Sequence, residues 1–171
     1  LDGPEIIKRI MCFQEWWDNT NVQGIIAKEV GLHFPGVQYA GRFDFIARID
    51  DKNVLIDIKT GGHYKTHDLQ ATMYKILWDT ICEHLGLDNS YMIDSMYGLY
   101  LNDSWIKGPN PKYKELKFAP DVVEGVVKLW RFNNANAWGK VNPPKQKVEL
   151  PLIYKLEDKN AEVKDELEKL L

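Results

Sequence analysis

The sequence predicts a mixed α/β layer: a three-stranded antiparallel meander, then a helix, then a further strand joined to the same sheet by a crossover. Three observations carry that expectation. Between Tyr39 and Ile49 apolar and polar residues alternate with the two-residue period of a half-buried strand. Between Thr66 and Leu85 the period becomes helical, with Leu69, Met73, Ile76, Leu77, Ile81 and Leu85 on one broad face. The length of 171 residues suits one domain closed around a central sheet and falls short of two of full size.

Each element has its own local signal. Pro4 to Asn19 places Ile6, Ile7, Ile10, Met11, Phe13 and Trp17 at spacings near three and four, and Pro4 suits a first helical turn, so an amphipathic helix is predicted there. Gly24 to Phe34 and Tyr39 to Ile49 read as strands, joined by a turn at Pro35 and Gly36. In the second strand Phe43, Phe45, Ala47 and Ile49 are expected on one face and Arg42, Asp44 and Arg48 on the other. The polar turn Asp50 to Asn53 leads into Val54 to Ile58, a short β-branched run that ends at Lys59-Thr60-Gly61-Gly62. Thr66 is a candidate N-cap for the long helix, and Gly86 ends it. Tyr91 to Leu101 is the expected crossover strand, Lys107 to Pro120 a proline-bearing loop, and Asp121 to Phe132 a helix closing the core. Residues 1–140 form the expected core. Residues 141–171 form an extension with a strand-like Val148 to Leu156 and a charged segment from Asp158.

Composition narrows the function classes. Hydrophobic residues make up 44% and charged residues 27%, which is globular rather than disordered composition. With 22 Lys plus Arg against 25 Asp plus Glu, the formal charge of -3 excludes a uniformly basic coat for nucleic acid. It leaves room for an acidic site inside a locally basic cleft. Cys12 and Cys82 are too few and too far apart for a zinc site, an iron–sulfur cluster or a disulfide framework, so a reduced, cytoplasmic setting is expected. No membrane span or signal peptide is read in the sequence.

The chemistry concentrates in Gly41-Arg42-Phe43-Asp44, in Asp57-Ile58-Lys59 thirteen residues beyond Asp44, and in Gln70 and Tyr74. An acid two before a lysine occurs five times in the chain, so that pattern alone selects nothing. Context selects Asp57 and Lys59, because only there do the two charges close an apolar strand. Two apart on a strand, they share one face, and Ile58 takes the other. The hairpin turn sets Asp44 roughly across from Asp57. Neighbouring carboxylates repel unless a cation joins them, and a small oxygen-only set suits Mg²⁺ or Mn²⁺ rather than zinc. Lys59 would then stand beside a phosphate, orienting the attacking water and balancing charge. That is phosphodiester hydrolysis. The plainer alternative for Asp57 and Lys59 is a surface ion pair at a strand end, and for Gln70 and Tyr74 an ordinary helix flank.

These motifs resemble the PD-(D/E)xK nucleases, in the branch of RecB-type nuclease domains and phage-type exonucleases. Gly41 to Asp44 is similar to that branch's glycine–aspartate motif, Asp57 to Thr60 to its acid-x-Lys-Thr, and Gln70 to Tyr74 to its helical Gln-x-x-x-Tyr. The resemblance implies a restriction-endonuclease-like core and a Mg²⁺- or Mn²⁺-dependent DNA exonuclease of phage or bacterial recombination. It implies metal ligation by Asp44, Asp57 and the Ile58 carbonyl, with Lys59 catalytic and Gln70 and Tyr74 organising the strand. Glu29 stands where relatives often carry a supporting glutamate. RecB-type members usually take a further ligand, often histidine, from an upstream helix. Glu5 to Asn19 holds none: either the ligand lies before Leu1, which is the favoured expectation, or another residue substitutes, or the site binds metal weakly.

Arg42, Lys65 and Lys75 are the cations expected to draw phosphate toward the acids, with Thr60 beside them. His33, His63, His67 and His84 form no zinc spacing and read as turn or surface residues, His63 and His67 nearest the cleft. The six tryptophans read as packing residues. DNA is the expected partner, with a second copy or a recombination protein as a further one. The rival expectation is a catalytically silent nuclease-like module that binds DNA or protein.

Overall fold

In a computed structural model, residues 3–34, 37, 39–101 and 110–134 are described. The elements are α1 (Gly3–Asp18), β1 (Val22–His33), β2 (Ala40–Ile49), β3 (Lys52–Lys59), α2 (Lys65–His84), β4 (Ser95–Tyr100), β5 (Lys112–Glu115) and α3 (Pro120–Asn133). The strands form one five-stranded mixed sheet in the order β1-β2-β3-β4-β5. β1, β2 and β3 are the expected antiparallel meander. α2 then carries the chain back so that β4 runs parallel to β3, pairing Asp57 with Gly98 and Lys59 with Tyr100. No helix among the described residues is long and apolar enough to cross a membrane. The turn at Pro35 and Gly36 and the extension 141–171 lie outside the described residues.

Helices cover both faces. On one, α2 contributes Ala71, Tyr74, Leu77, Trp78 and Ile81 to a core with Val30, Phe43, Ile46 and Leu55. On the other, Cys12 and Trp16 of α1 pack with Phe45, Ala47, Val54, Ile56 and Leu99. The two cysteines are buried, one in each core, and form no disulfide.

The hairpin between β2 and β3 is tighter than the sequence implies. Asp50 and Asp51 alone make the turn, and both have positive φ (48° and 63°), as a type I′ turn requires. Gln23 clamps Asp51 through a side-chain donor and a side-chain acceptor, each at 2.9 Å. Asn53 is not a turn residue but a buried strand residue. Its amide donates to the carbonyls of Ser90 and Met92 at 2.5 and 2.8 Å and accepts from Arg48 at 2.8 Å, tying the hairpin to the entry of β4.

Several expectations need correction. α1 does not bury its aliphatic stripe: Ile6, Ile7, Ile10, Met11 and Trp17 are exposed. The aromatic cluster decides its orientation, because Trp16 packs on Tyr113 and Phe45 with ring centroids 5.5 and 6.1 Å apart. The long helix is capped at Tyr64 rather than Thr66. The crossover strand begins only at Ser95, because Asn89–Tyr91 forms a short 3-10 turn. The expected loop before Pro120 contains β5, whose Tyr113 stacks on Tyr97 at 4.2 Å. α3 closes the core with Val123 alone, leaving Val122, Val126, Leu129, Trp130 and Phe132 exposed. Trp16 and Trp78 are packing residues as expected, whereas Trp17 and Trp130 are exposed.

The strict alternation expected in β2 also breaks. Phe43 and Ile46, three apart, both enter the α2-side core, while Phe45 enters the other. β1 breaks in step: Val30 and Ala27 share the α2-side core, and between them Glu29 adopts a φ of 52°. The register itself is unchanged across this point, with Lys28 paired to Phe45 and Val30 to Phe43, and its shifts lie further back, between Val22 and Gly24 and between Ile25 and Ala27; what breaks at Glu29 and Asp44 is the alternation of faces.

Candidate functional site

The site is built where the β2–β3 ladder ends. Its last pair is Phe45 with Ile56. Beyond it the Ile58 N–H donates to Asp44 Oδ2 at 2.5 Å, in place of a β2 carbonyl. The local break in alternation accounts for this, because it turns Asp44 off the regular faces toward the neighbouring strand. The Lys59 carbonyl accepts from Leu101 N–H on the β4 side, so the Ile58 carbonyl one residue earlier faces the Asp44 side.

Asp57 and Lys59 share the α2-facing side, as their spacing requires. Asp57 is 3% exposed, and Lys59 Nζ lies 2.6 Å from its Oδ2. That approach is an ion pair without hydrogen-bonding alignment, and Asp57 Oδ2 is left with no hydrogen-bond partner. The ammonium spends its aligned hydrogen bond on Gln70 Oε1, at 2.9 Å. Because lysine only donates, Gln70 must present its oxygen there and its NH₂ elsewhere, and that NH₂ donates to the Tyr74 hydroxyl at 2.7 Å. The Tyr74 ring lies over Gly41 so closely that a Cβ on Gly41 would fall 2.3 Å from Tyr74 Cε1. Glycine is needed here for close approach, and the three motifs form one line of contact: Asp57, Lys59, Gln70, Tyr74, Gly41.

Burial raises the pKa of Asp44. The Ile58 N–H works against that rise, and the charges of Asp57 and Glu29 add to it. A half-buried carboxylate whose charge is disfavoured, beside a buried one paired with Lys59, suits a further cation. Asp44, Asp57 and the Ile58 carbonyl supply hard oxygen donors of the kind Mg²⁺ takes while keeping several waters. Among the described residues no group of three or more His, Cys, Asp or Glu side chains is arranged to hold a metal ion, so this set comprises two carboxylates and a carbonyl.

Other expected site residues fall outside this line. Glu29 and Arg42 pair with each other at 3.5 Å, with side chains 61% and 69% exposed. Thr60 is exposed in the bend after β3, and Lys65 is exposed at the start of α2. Lys75 is drawn away from the cleft, to Asp79 at 2.7 Å and to the Ile93 carbonyl.

Sequence reasoning missed two residues of β4, Gly98 beside Asp57 and Tyr100 beside Lys59. Gly98 leaves room for the Tyr100 ring, whose hydroxyl would lie 2.7 Å from a Cβ at position 98. Tyr100 in turn meets His67 Nδ1 at 3.1 Å. A glycine inside an apolar strand was the available signal, since it marks a close approach. Next to Gln70 and Tyr74, an open cleft of about 260 Å³ is lined by Tyr39, Ala40, Thr66, Leu69 and Met73. A larger cavity of about 470 Å³ lies at the other end of β4, between Lys75, Asp94, Glu115 and Phe118. Neither a family model nor a curated protein matches the chain.

Proposed function

We propose that this protein is a metal-dependent deoxyribonuclease with a restriction-endonuclease-like core, of the RecB-type and phage exonuclease kind that its motifs resemble. The observation that carries the proposal is the continuous contact from Asp57 through Lys59, Gln70 and Tyr74 to Gly41, which joins three motifs separated in sequence. A surface ion pair needs no such support, whereas a lysine that must hold one direction does.

In this proposal Asp44, Asp57 and the Ile58 carbonyl hold Mg²⁺ or Mn²⁺. The cation, when bound, neutralises charge on the scissile phosphate. Lys59, kept in place by Gln70, orients the attacking water and balances the charge that grows as one P–O ester bond breaks. Tyr74 fixes the Gln70 amide, and the strand lies along the cleft beside it. Local cations and the bound metal, rather than net charge, supply DNA affinity.

The test is Mg²⁺-dependent degradation of linear DNA by the wild type and by Asp57→Ala and Lys59→Ala. Both variants should be inactive while retaining the wild-type circular dichroism spectrum. Full activity in both would refute the proposal. Titration calorimetry with Mn²⁺ should show binding that Asp57→Ala removes, and faster loss of linear than of circular DNA would support exonuclease action.

A further inference from the structure

His67 lies one turn before Gln70 on α2, so His67, Gln70 and Tyr74 follow one stripe of the helix at spacings of three and four. Its Nδ1 is engaged twice, by the Tyr100 hydroxyl at 3.1 Å and by the Tyr64 backbone N–H at 3.4 Å. A backbone N–H can only donate, which makes Nδ1 the acceptor and puts the imidazole proton on Nε2. Tyr100 is itself buried, and burial, followed by the charges of Asp57 and Asp68, pushes its hydroxyl up to about 12. The phenol therefore stays protonated and is able to donate to Nδ1. His67 is lowered by burial first and by the Lys59 charge second, against Asp57 and Asp68, with His63 adding to the lowering. A neutral imidazole with a fixed tautomer follows. Its Nε2–H has no protein partner among the described residues, in a side chain that is only partly buried.

We infer that His67 is a phosphate-positioning residue: its Nε2–H donates to a non-bridging oxygen of a DNA phosphate lying against Asp57 and Lys59, and Tyr100 holds the ring in the tautomer that permits it. The inference rests on the nuclease proposal for its substrate class and assigns that site a contact outside the three motifs. A neutral donor is suited to this place. It engages phosphate without adding another positive charge beside Lys59, and it leaves the metal ligands alone.

The test uses a phosphorothioate-linked DNA hexamer in the presence of Mg²⁺, with His67 observed by long-range ¹H–¹⁵N NMR in the whole chain. The free protein should show the Nε2–H tautomer, and the hexamer should shift the Nε2 resonance more than Nδ1. His67→Asn, whose amide ends near the Nδ1 position, should weaken hexamer binding about tenfold. His67→Gln, whose amide reaches the Nε2 position, should restore most of it. In turnover assays the Asn variant should raise KM with little change in kcat, the mark of a contact made equally in ground and transition states. An Nδ1–H tautomer, an unmoved Nε2 signal, or equal binding by wild type and both variants would overturn the inference. If Asp57→Ala abolishes degradation while the His67 variants bind as wild type, the inference fails and the nuclease proposal stands. If degradation does not depend on Asp57, the nuclease proposal fails, and the NMR result still decides whether His67 meets phosphate.

Discussion

Replacing Gly41 by alanine should destabilise the protein, and the Tyr74 ring should be the reason. Gly41 has no positive φ, so its backbone does not require glycine. In a strand, alanine should then be preferred by about 0.5–1 kcal/mol. Against this, the new methyl would sit 2.3 Å from Tyr74 Cε1 and 3.0 Å from Cδ1. Ordinary carbon contacts begin at about 3.5 Å, so the ring would have to retreat by roughly 1 Å. It has little freedom to do so, being 8% exposed and held through its hydroxyl at 2.7 Å by Gln70. Overpacking of this kind costs about 1–3 kcal/mol, leaving a net loss of up to about 2.5 kcal/mol. In a Tyr74→Val background the clash is gone, and Gly41→Ala should be neutral or stabilise by up to about 1 kcal/mol. Urea unfolding of the four proteins measures the difference as a double-mutant cycle. An equal cost in both backgrounds, or stabilisation in the presence of Tyr74, would refute the reasoning.

Asn53→Ala removes the amide that satisfies the Ser90 and Met92 carbonyls and the acceptor used by Arg48, and it should cost about 2–3 kcal/mol in chemical denaturation. For Asp44, a folded-state pKa above the ordinary 3.8 means that the native protein binds the proton more tightly than the unfolded chain. Its contribution to stability is therefore greatest below that value and is lost as pH rises through the raised one. Asp44→Asn should flatten this part of a pH series of urea midpoints and exceed wild type in stability at neutral pH; a variant less stable there, with an unchanged slope, would contradict the electrostatic account. Arg42→Ala should change stability by less than about 0.5 kcal/mol in the same assay, because its pair with Glu29 is solvent-screened.

The parts of this molecule that were legible in the sequence are those set by local periodicity. The meander, the 20-residue α2 and the parallel return to β4 follow from two-residue alternation, a helical stripe and a connection too long for a hairpin. Asp57, Lys59, Gln70 and Tyr74 were likewise legible, since a strand spacing and a helix spacing each fix a shared face. What failed was whatever tertiary contact decides. The aliphatic stripe of α1 obeys helical periodicity, yet Trp16 turns the helix to meet Phe45 and Tyr113. β5 is only four residues, Lys112–Glu115, with two lysines, and pairing to β4 rather than its own composition makes it a strand. Tyr100 and His67 touch across 33 residues of chain, a separation over which no short pattern carries information.

Asp44 shows how a failure of periodicity and the position of the site are connected. Had the alternation held through β2, Phe43 would share a face with Phe45, and the β2–β3 ladder would continue past Phe45 and Ile56 by the ordinary exchange of backbone hydrogen bonds. The Ile58 N–H would then meet a β2 carbonyl, and Asp44 would stand on one face of a closed sheet. Instead the break in alternation at Glu29 and Asp44 turns a carboxylate into the ladder, where it takes the Ile58 N–H at 2.5 Å. The ladder ends there, the Ile58 carbonyl is left facing the same carboxylate, and Asp57 stands one residue away. β2 and β3 thus give up their pairing at the point where the charged groups gather, while β1 stays paired to β2. Restoring the alternation would repair the sheet and disperse the oxygen donors, so the irregularity in β1 and β2 is the structural condition for the site.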